Sequence, residues 1–196
     1  MNGIKLKKDT VISLKKKGDD LSKVKVMLNW KTPKNSNTGT MDLDATCFGL
    51  VPSDIESKRE LFDQEYFVYY ENLKTDNESI MLSGDDKTGG EGEEIIVNLD
   101  IIPDAIIELA FFVTIHRALK KKQNFSMVEE ASISIINIDN DELLAKFDLQ
   151  NDFSSETAVH FGTIYKNRDG WDFKAIGVGY NSDLADILRC YGVEAE

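Results

Sequence analysis

The stretch Lys23-Val24-Lys25-Val26-Met27-Leu28-Asn29-Trp30 alternates apolar and polar side chains with a period of two. In an extended chain successive side chains point to opposite faces, so Val24, Val26, Leu28 and Trp30 share one face and Lys23, Lys25 and Asn29 the other. This is the pattern of a half-buried strand. Short runs rich in β-branched and aromatic residues predict further strands over residues 11–14, 45–51, 66–70, 79–82, 95–99, 106–115, 131–138 and 143–149.

Near the C-terminus, Thr163-Ile164-Tyr165-Lys166 and Trp171-Asp172-Phe173-Lys174 flank Asn167-Arg168-Asp169-Gly170, whose Asp-Gly end suits a tight hairpin. Helical signals are confined to two places. Ser182 is placed to cap a helix carrying Leu184, Ile187, Leu188 and Tyr191, with Gly192 as its stop, and residues 118–122 fit a shorter turn. Many short strands without regular helical crossovers give a mainly all-β fold, a two-sheet β-sandwich with a short C-terminal helix. With three prolines in the chain, no Pro-rich linker and no internal repeat, a single domain over residues 1–196 is expected.

The formal net charge is −12, from 23 Lys and Arg against 35 Asp and Glu. Binding a nucleic-acid backbone or an anionic membrane surface needs clustered cations, so both classes are excluded as partners. Hydrophobic residues make up 41% of the chain, enough for a folded core despite the acidity. Met1 to Leu14 is lysine-rich with isolated aliphatics, unlike a signal peptide, and the longest apolar stretch, 105–115, is too short to span a bilayer. A cytoplasmic protein without direct membrane insertion is expected, with Cys47 and Cys190 as free thiols.

The most unusual segment is Ser83-Gly84-Asp85-Asp86-Lys87-Thr88-Gly89-Gly90-Glu91-Gly92-Glu93-Glu94, with five carboxylates and four glycines. Such carboxylates repel one another unless they splay into water or share a cation. Glycines let the backbone fold back so that oxygens converge, and calcium takes about six to eight oxygens in flexible geometry. A solvated acidic turn is the competing reading. The loop is not an EF-hand: counted from Asp85, Lys87 and Gly89 occupy ligand positions and Ile96 stands where the bidentate Glu belongs.

A second acidic feature is Asp42-Leu43-Asp44-Ala45, ahead of Cys47-Phe48-Gly49-Leu50. Entering a strand, Asp42 and Asp44 project from one side, either into solvent or toward a shared cation. Asn137-Ile138-Asp139-Asn140-Asp141-Glu142 reads as turn chemistry between two strands. His116 and His160 read as satisfied histidines in or beside apolar strands, and no nucleophile motif or phosphate-binding loop accompanies them, so no enzyme is expected. Lys15-Lys16-Lys17 and Lys120-Lys121-Lys122 read as solvated faces.

Taken in order, these segments resemble the TerD family of tellurium-resistance and general stress proteins. The resemblance rests on Lys17-Gly18, Leu28-Asn29-Trp30, Asp42-Leu43-Asp44-Ala45, Cys47-Phe48-Gly49-Leu50 and Tyr69-Tyr70-Glu71-Asn72-Leu73. It continues through Gly84-Asp85-Asp86-Lys87-Thr88-Gly89, Phe112-Val113-Thr114-Ile115-His116, Gln123-Asn124-Phe125 and Glu156-Thr157-Ala158. It ends with Phe161-Gly162, Tyr165, Trp171-Asp172-Phe173-Lys174-Ala175 and Gly177-Val178-Gly179-Tyr180, so that nearly the whole chain is covered.

The resemblance implies a calcium-binding β-sandwich with no known enzymatic activity, working in the cytoplasm in tellurite, phage, colicin or chemical-stress resistance. It also implies partners: other tellurium-resistance proteins and a membrane-embedded protein. One or two Ca²⁺ ions would be held by Asp42, Asp44, Gly84, Asp85 and Asp86, with Glu91 and Glu93 from the rest of the loop and oxygens from Asn72 and Thr88. Asp86 replaces the family's Asn, Thr40 stands where relatives often carry Asp, and the loop after Gly89 is shorter, reading Gly90-Glu91-Gly92-Glu93-Glu94. The alternative is a metal-independent interaction module of the same fold, whose shortened loop has lost its calcium.

Overall fold

The computed structural model describes residues 4–5, 7–16, 19–31, 40–87, 92–149 and 153–194. Two sheets face each other. The first runs β1 (Ile4–Lys5), β13 (Glu142–Asp148), β12 (Glu129–Asn137), β5 (Lys23–Lys31), β10 (Glu93–Asn98) and β9 (Ile80–Leu82). The second runs β2 (Val11–Ser13), β15 (Gly170–Tyr180), β14 (Ala158–Asn167), β11 (Glu108–Ile115), β6 (Leu43–Pro52) and β7 (Arg59–Leu61), with β8 (Phe67–Val68) also on β6. A small hairpin pairs β3 (Lys15–Lys16) with β4 (Asp19–Asp20). Pairing is antiparallel except between β1 and β13.

The two sheets differ in how they meet water, and the sequence records it. In β5, Val24, Val26, Leu28 and Trp30 are buried and the residues between them are not. That face packs on Leu43, Ala45, Cys47, Phe111 and Phe161 of the second sheet to make the main core. β6 is buried continuously from Leu43 to Leu50, and β11 from Leu109 to Ile115. A smaller cluster of Phe48, Leu50, Phe67, Ala110 and Phe112 covers their outer face, closed by Ile187 and Leu188 of helix α2 (Leu184–Cys190). A strand covered on both sides reads as an apolar run rather than an alternation.

The hairpin forms as expected, with Asn167 paired to Gly170 and the positive φ of 134° carried by Gly170. The turn at Asn137 to Glu142 is also present, with Asp139 N–H donating to Asn137 Oδ1 and Glu142 N–H to Asn140 Oδ1. Helix α1 covers Ala118–Lys121, and Cys47 and Cys190 are free thiols, the first buried and the second exposed.

The cap of α2 falls one residue later than expected. Asp183, not Ser182, accepts from Asp186 N–H, and Asp186 returns the bond to complete a capping box. Residues 66–70 are only briefly a strand. Asp63 caps a 3₁₀ turn over Gln64–Tyr66, and after β8 the chain doubles back through paired Tyr69 and Asn72. Residues 32–39, between β5 and β6, lie outside the described residues.

Candidate metal centre

At one end of the sandwich three chain segments converge. The register of β6 on β11 sets Asp44 opposite Thr114 and Leu43 opposite Ile115. One step further out, His116 N–H donates to Asp42 O at 2.8 Å, extending the ladder past the strand end. Leu43 points into the core, so Asp42 and Asp44 share the opposite side. The third segment is the loop between β9 and β10. Asp86 Oδ2 accepts Gly92 N–H at 2.8 Å and closes the loop upon itself. Gly92 sits at φ 81°, where a Cβ would lie 2.5 Å from Leu28 O, so only glycine lets the loop press this close to β5.

The result is an acidic cluster in which ligand atoms of Asp42, Asp44 and Asp85 all lie within 4.8 Å of one another. Asp44 is 3% exposed and Glu93, the first residue of β10, is 1% exposed. Glu93 crosses between the sheets: its Oε2 accepts Ala45 N–H at 2.7 Å. Ala45 lies beyond the reach of β8, which pairs with β6 only at Cys47 and Phe48, so this N–H is left for Glu93. Asp42 Oδ1 and Glu93 Oε1 are buried without a hydrogen-bond partner.

Burial in the first place, and then the negative charges of Asp42 and Asp85, push Asp44 up to about 8. Burial also pushes Glu93 up to about 8, against the bond from Ala45 and with the charge of Asp44. Asp42 is raised by burial, partly offset by His116. Carboxylates placed this way must bind protons or a cation, because desolvated like charges cannot all ionise alone. A lysine and a histidine approach from the sides: Lys87 Nζ lies 3.2 Å from Asp85 Oδ2, and His116 Nδ1 lies 3.5 Å from Asp44 Oδ2.

The donor set suits a hard cation. Two oxygens each about 2.4 Å from one ion are at most about 4.8 Å apart, the separation this triad meets, and carboxylates are the ligands calcium prefers. The buried, unpartnered Oδ1 of Asp42 is an acceptor that such an ion would satisfy; Glu93 is not among the three residues whose oxygens converge. The other sequence-derived residues fall in three places. Asp86 is engaged in closing the loop, and Gly84 opens it at φ 145°. Asn72 donates its amide to the carbonyls of Glu65 and Phe67, at 3.0 and 2.8 Å, and so ties the turn after β8. Thr88 and Glu91 lie outside the described residues.

Two features of the site were not legible as such in the chain. His116 reads as a satisfied histidine at a strand end; its place beside Asp44 follows only once β6 and β11 are aligned. Glu93's bond across the sheets needs the two sheets to be stacked.

The TerD domain matches residues 2–191 of the chain. The chain belongs to the TerD domain family. It is 37% identical over 97% of its length to general stress protein 16U of Bacillus subtilis (strain 168), covering 98% of that protein. It is 34% identical over 98% of its length to the tellurium resistance protein TerD of Serratia marcescens, again covering 98% of the relative. The fold is shared with the crystal structure of a homologue of telluride resistance protein (TerD) from Streptomyces coelicolor A3(2), at a TM-score of 0.68 and 21% identity. That likeness covers 89% of this chain and 99% of the other. Among the described residues, no helix of this TerD protein is long and apolar enough to cross a membrane.

Proposed function

We propose that this TerD-family protein is a calcium-binding, non-catalytic stress protein of the tellurite and chemical-stress resistance type, acting in the cytoplasm through metal-dependent contacts with other proteins of that system. The observation that carries the calcium reading is the convergence of Asp42, Asp44 and Asp85, with Oδ1 of Asp42 buried and without a hydrogen-bond partner. Asp42, Asp44 and Asp85 would hold the ion, Glu93 would face it from the first sheet, and Asp86 would keep the loop folded around it. The stress role follows the relatives, which include a general stress protein and tellurium resistance proteins. The side chains best suited to catalysis support a non-catalytic reading: His160 is buried against Phe112 and Thr163, and burial pushes the Cys47 thiol far up.

Bound calcium stabilises the native state by mass action, by about 2.7 kcal/mol when the free ion stands a hundredfold above its dissociation constant. Chelator-treated protein is expected to melt at a higher temperature in millimolar calcium, and magnesium to reproduce the rise poorly because it demands strict octahedral geometry. An unchanged melting temperature in calcium would overturn the reading. Lys87, already paired with Asp85, favours one rival: a metal-independent interaction module whose acidic cluster is partly neutralised by the chain's own lysine and which melts identically with calcium or chelator.

A further inference from the structure

A second concave feature lies on the outer side of the second sheet, between helix α2 and the turn that follows β8. It is a groove of about 680 Å³, in the range of sites that hold a ligand or an anchoring side chain. Its floor is apolar, formed by Phe67, Leu184 and Leu188, and its wall carries the partly exposed rings of Tyr69 and Tyr70. The rings are held in series: Phe67 and Tyr69 stack at 4.1 Å, and Tyr69 meets Tyr70 edge-on at 5.1 Å. Asn72 fixes the turn through its two amide bonds and its backbone pairing with Tyr69, so the wall is preorganised.

The charge of the groove is one-sided. Its charged lining residues are Glu65, Glu71 and Glu194, and no Lys, Arg or His is among the described residues that line it. Tyr69 Oη donates to Glu71 at 3.1 Å, setting that carboxylate at the rim beside two aromatic faces. Tyrosine faces with carboxylates beside them attract a guanidinium or ammonium group, through cation–π and charge-assisted contacts together. The apolar floor takes the side chain next to that cation.

We infer that this groove is a docking surface for a basic segment of a partner protein, one in which Arg or Lys alternates with a large apolar side chain. The occupant is set by complementarity of charge: an acidic segment would set like charge against three glutamates, and a neutral apolar one would offer them no cation. The groove also adjoins the metal centre through one ring, because Tyr70 packs edge-on against His116 at 5.5 Å, and His116 is the neighbour of Asp44. This inference rests on the proposed action through contacts with other proteins and does not need the calcium ion to be bound.

The test is a titration of the full chain at about 0.15 M salt with a capped nonapeptide of alternating Arg and Leu, followed by amide chemical shifts. Shifts are expected at residues 69–72 and 184–188, with affinity lowered at least about tenfold in the Glu71→Gln/Glu194→Gln variant. The same peptide with Glu for Arg should not bind. Equal binding of the Glu peptide, wild-type affinity in the double variant, or shifts centred on Asp42 and Asp85 instead would each overturn it. Calcium-dependent melting of the same double variant reports separately on the metal site, so failure of one reading is distinguishable from failure of the other.

Discussion

At the scale of single residues, the acidic cluster and one histidine pull stability in opposite directions with pH. Asp44 and Glu93 are raised to about 8 in the folded protein, so their contribution is present in full below the unfolded carboxylate range and is lost as pH rises through about 8. In chelator, the wild-type protein therefore loses stability between about pH 4 and pH 8. Asp44→Asn removes one buried charge from that balance. At pH 8 without calcium, denaturant titration should find it about 1–3 kcal/mol more stable than wild type, and calcium should add nothing further. A variant less stable than wild type in chelator, or one still stabilised by calcium, would contradict this. His160 runs the other way: burial lowers it to about 4, and its ring stacks on Phe112 at 4.3 Å with Nε2 2.9 Å from Thr163 Oγ1. Its contribution is full above about pH 6.5 and lost on acidification through about 4. The stability difference between wild type and His160→Gln should shrink by about 3 kcal/mol between pH 7 and pH 4, read from urea midpoints at each pH.

At the scale of elements, the loop from β9 to β10 depends on Gly92. Gly92→Ala places a methyl against Leu28 O in a backbone conformation that alanine resists, and it should cost about 1–3 kcal/mol and weaken calcium binding while leaving the fold intact. Circular dichroism and a calcium titration of that variant check both parts. The elements differ in how far the chain itself discloses them. β5 is legible because one face meets the core and the other meets water, which writes period two into the sequence. β6 and β11 are legible as apolar runs because α2 covers their outer face. β14 and β15 are longer than the hairpin arms suggest: irregular registers at His160–Gly162 interrupt the alternation, and Gly177 at φ 60° and Gly179 dilute it further. β7, Arg59–Leu61, is short and mostly polar and is held by β6, by the carbonyl of Tyr191 and by Glu108 of β11, so nothing local announces it. The Asp42/Asp44 pair was legible from its spacing, and Asp85 and Glu93 from the composition of their loop and the family resemblance, whereas the place of His116 beside Asp44 and the bond of Glu93 to Ala45 follow only from strand pairing and sheet stacking.

At the scale of the whole molecule, the chain carries a formal net charge of −12. The structure shows that part of this excess is concentrated at one end of the sandwich and another part at the rim of a groove that adjoins it through Tyr70 and His116. Calcium at the first would lessen the charge by two for each ion; a basic segment at the second would lessen it again. In the proposed reading, a TerD-family fold carries a cation site at one end of the sandwich and an acidic docking face beside it. The central claim of that reading is that Asp42, Asp44 and Asp85 bind calcium together. Isothermal titration of chelator-treated protein at pH 7 tests it most directly, run beside the Asp42→Asn/Asp85→Asn variant. The account predicts saturable heat with release of protons from the raised carboxyls in the wild type, and none in the variant; heat in both, or in neither, would contradict it.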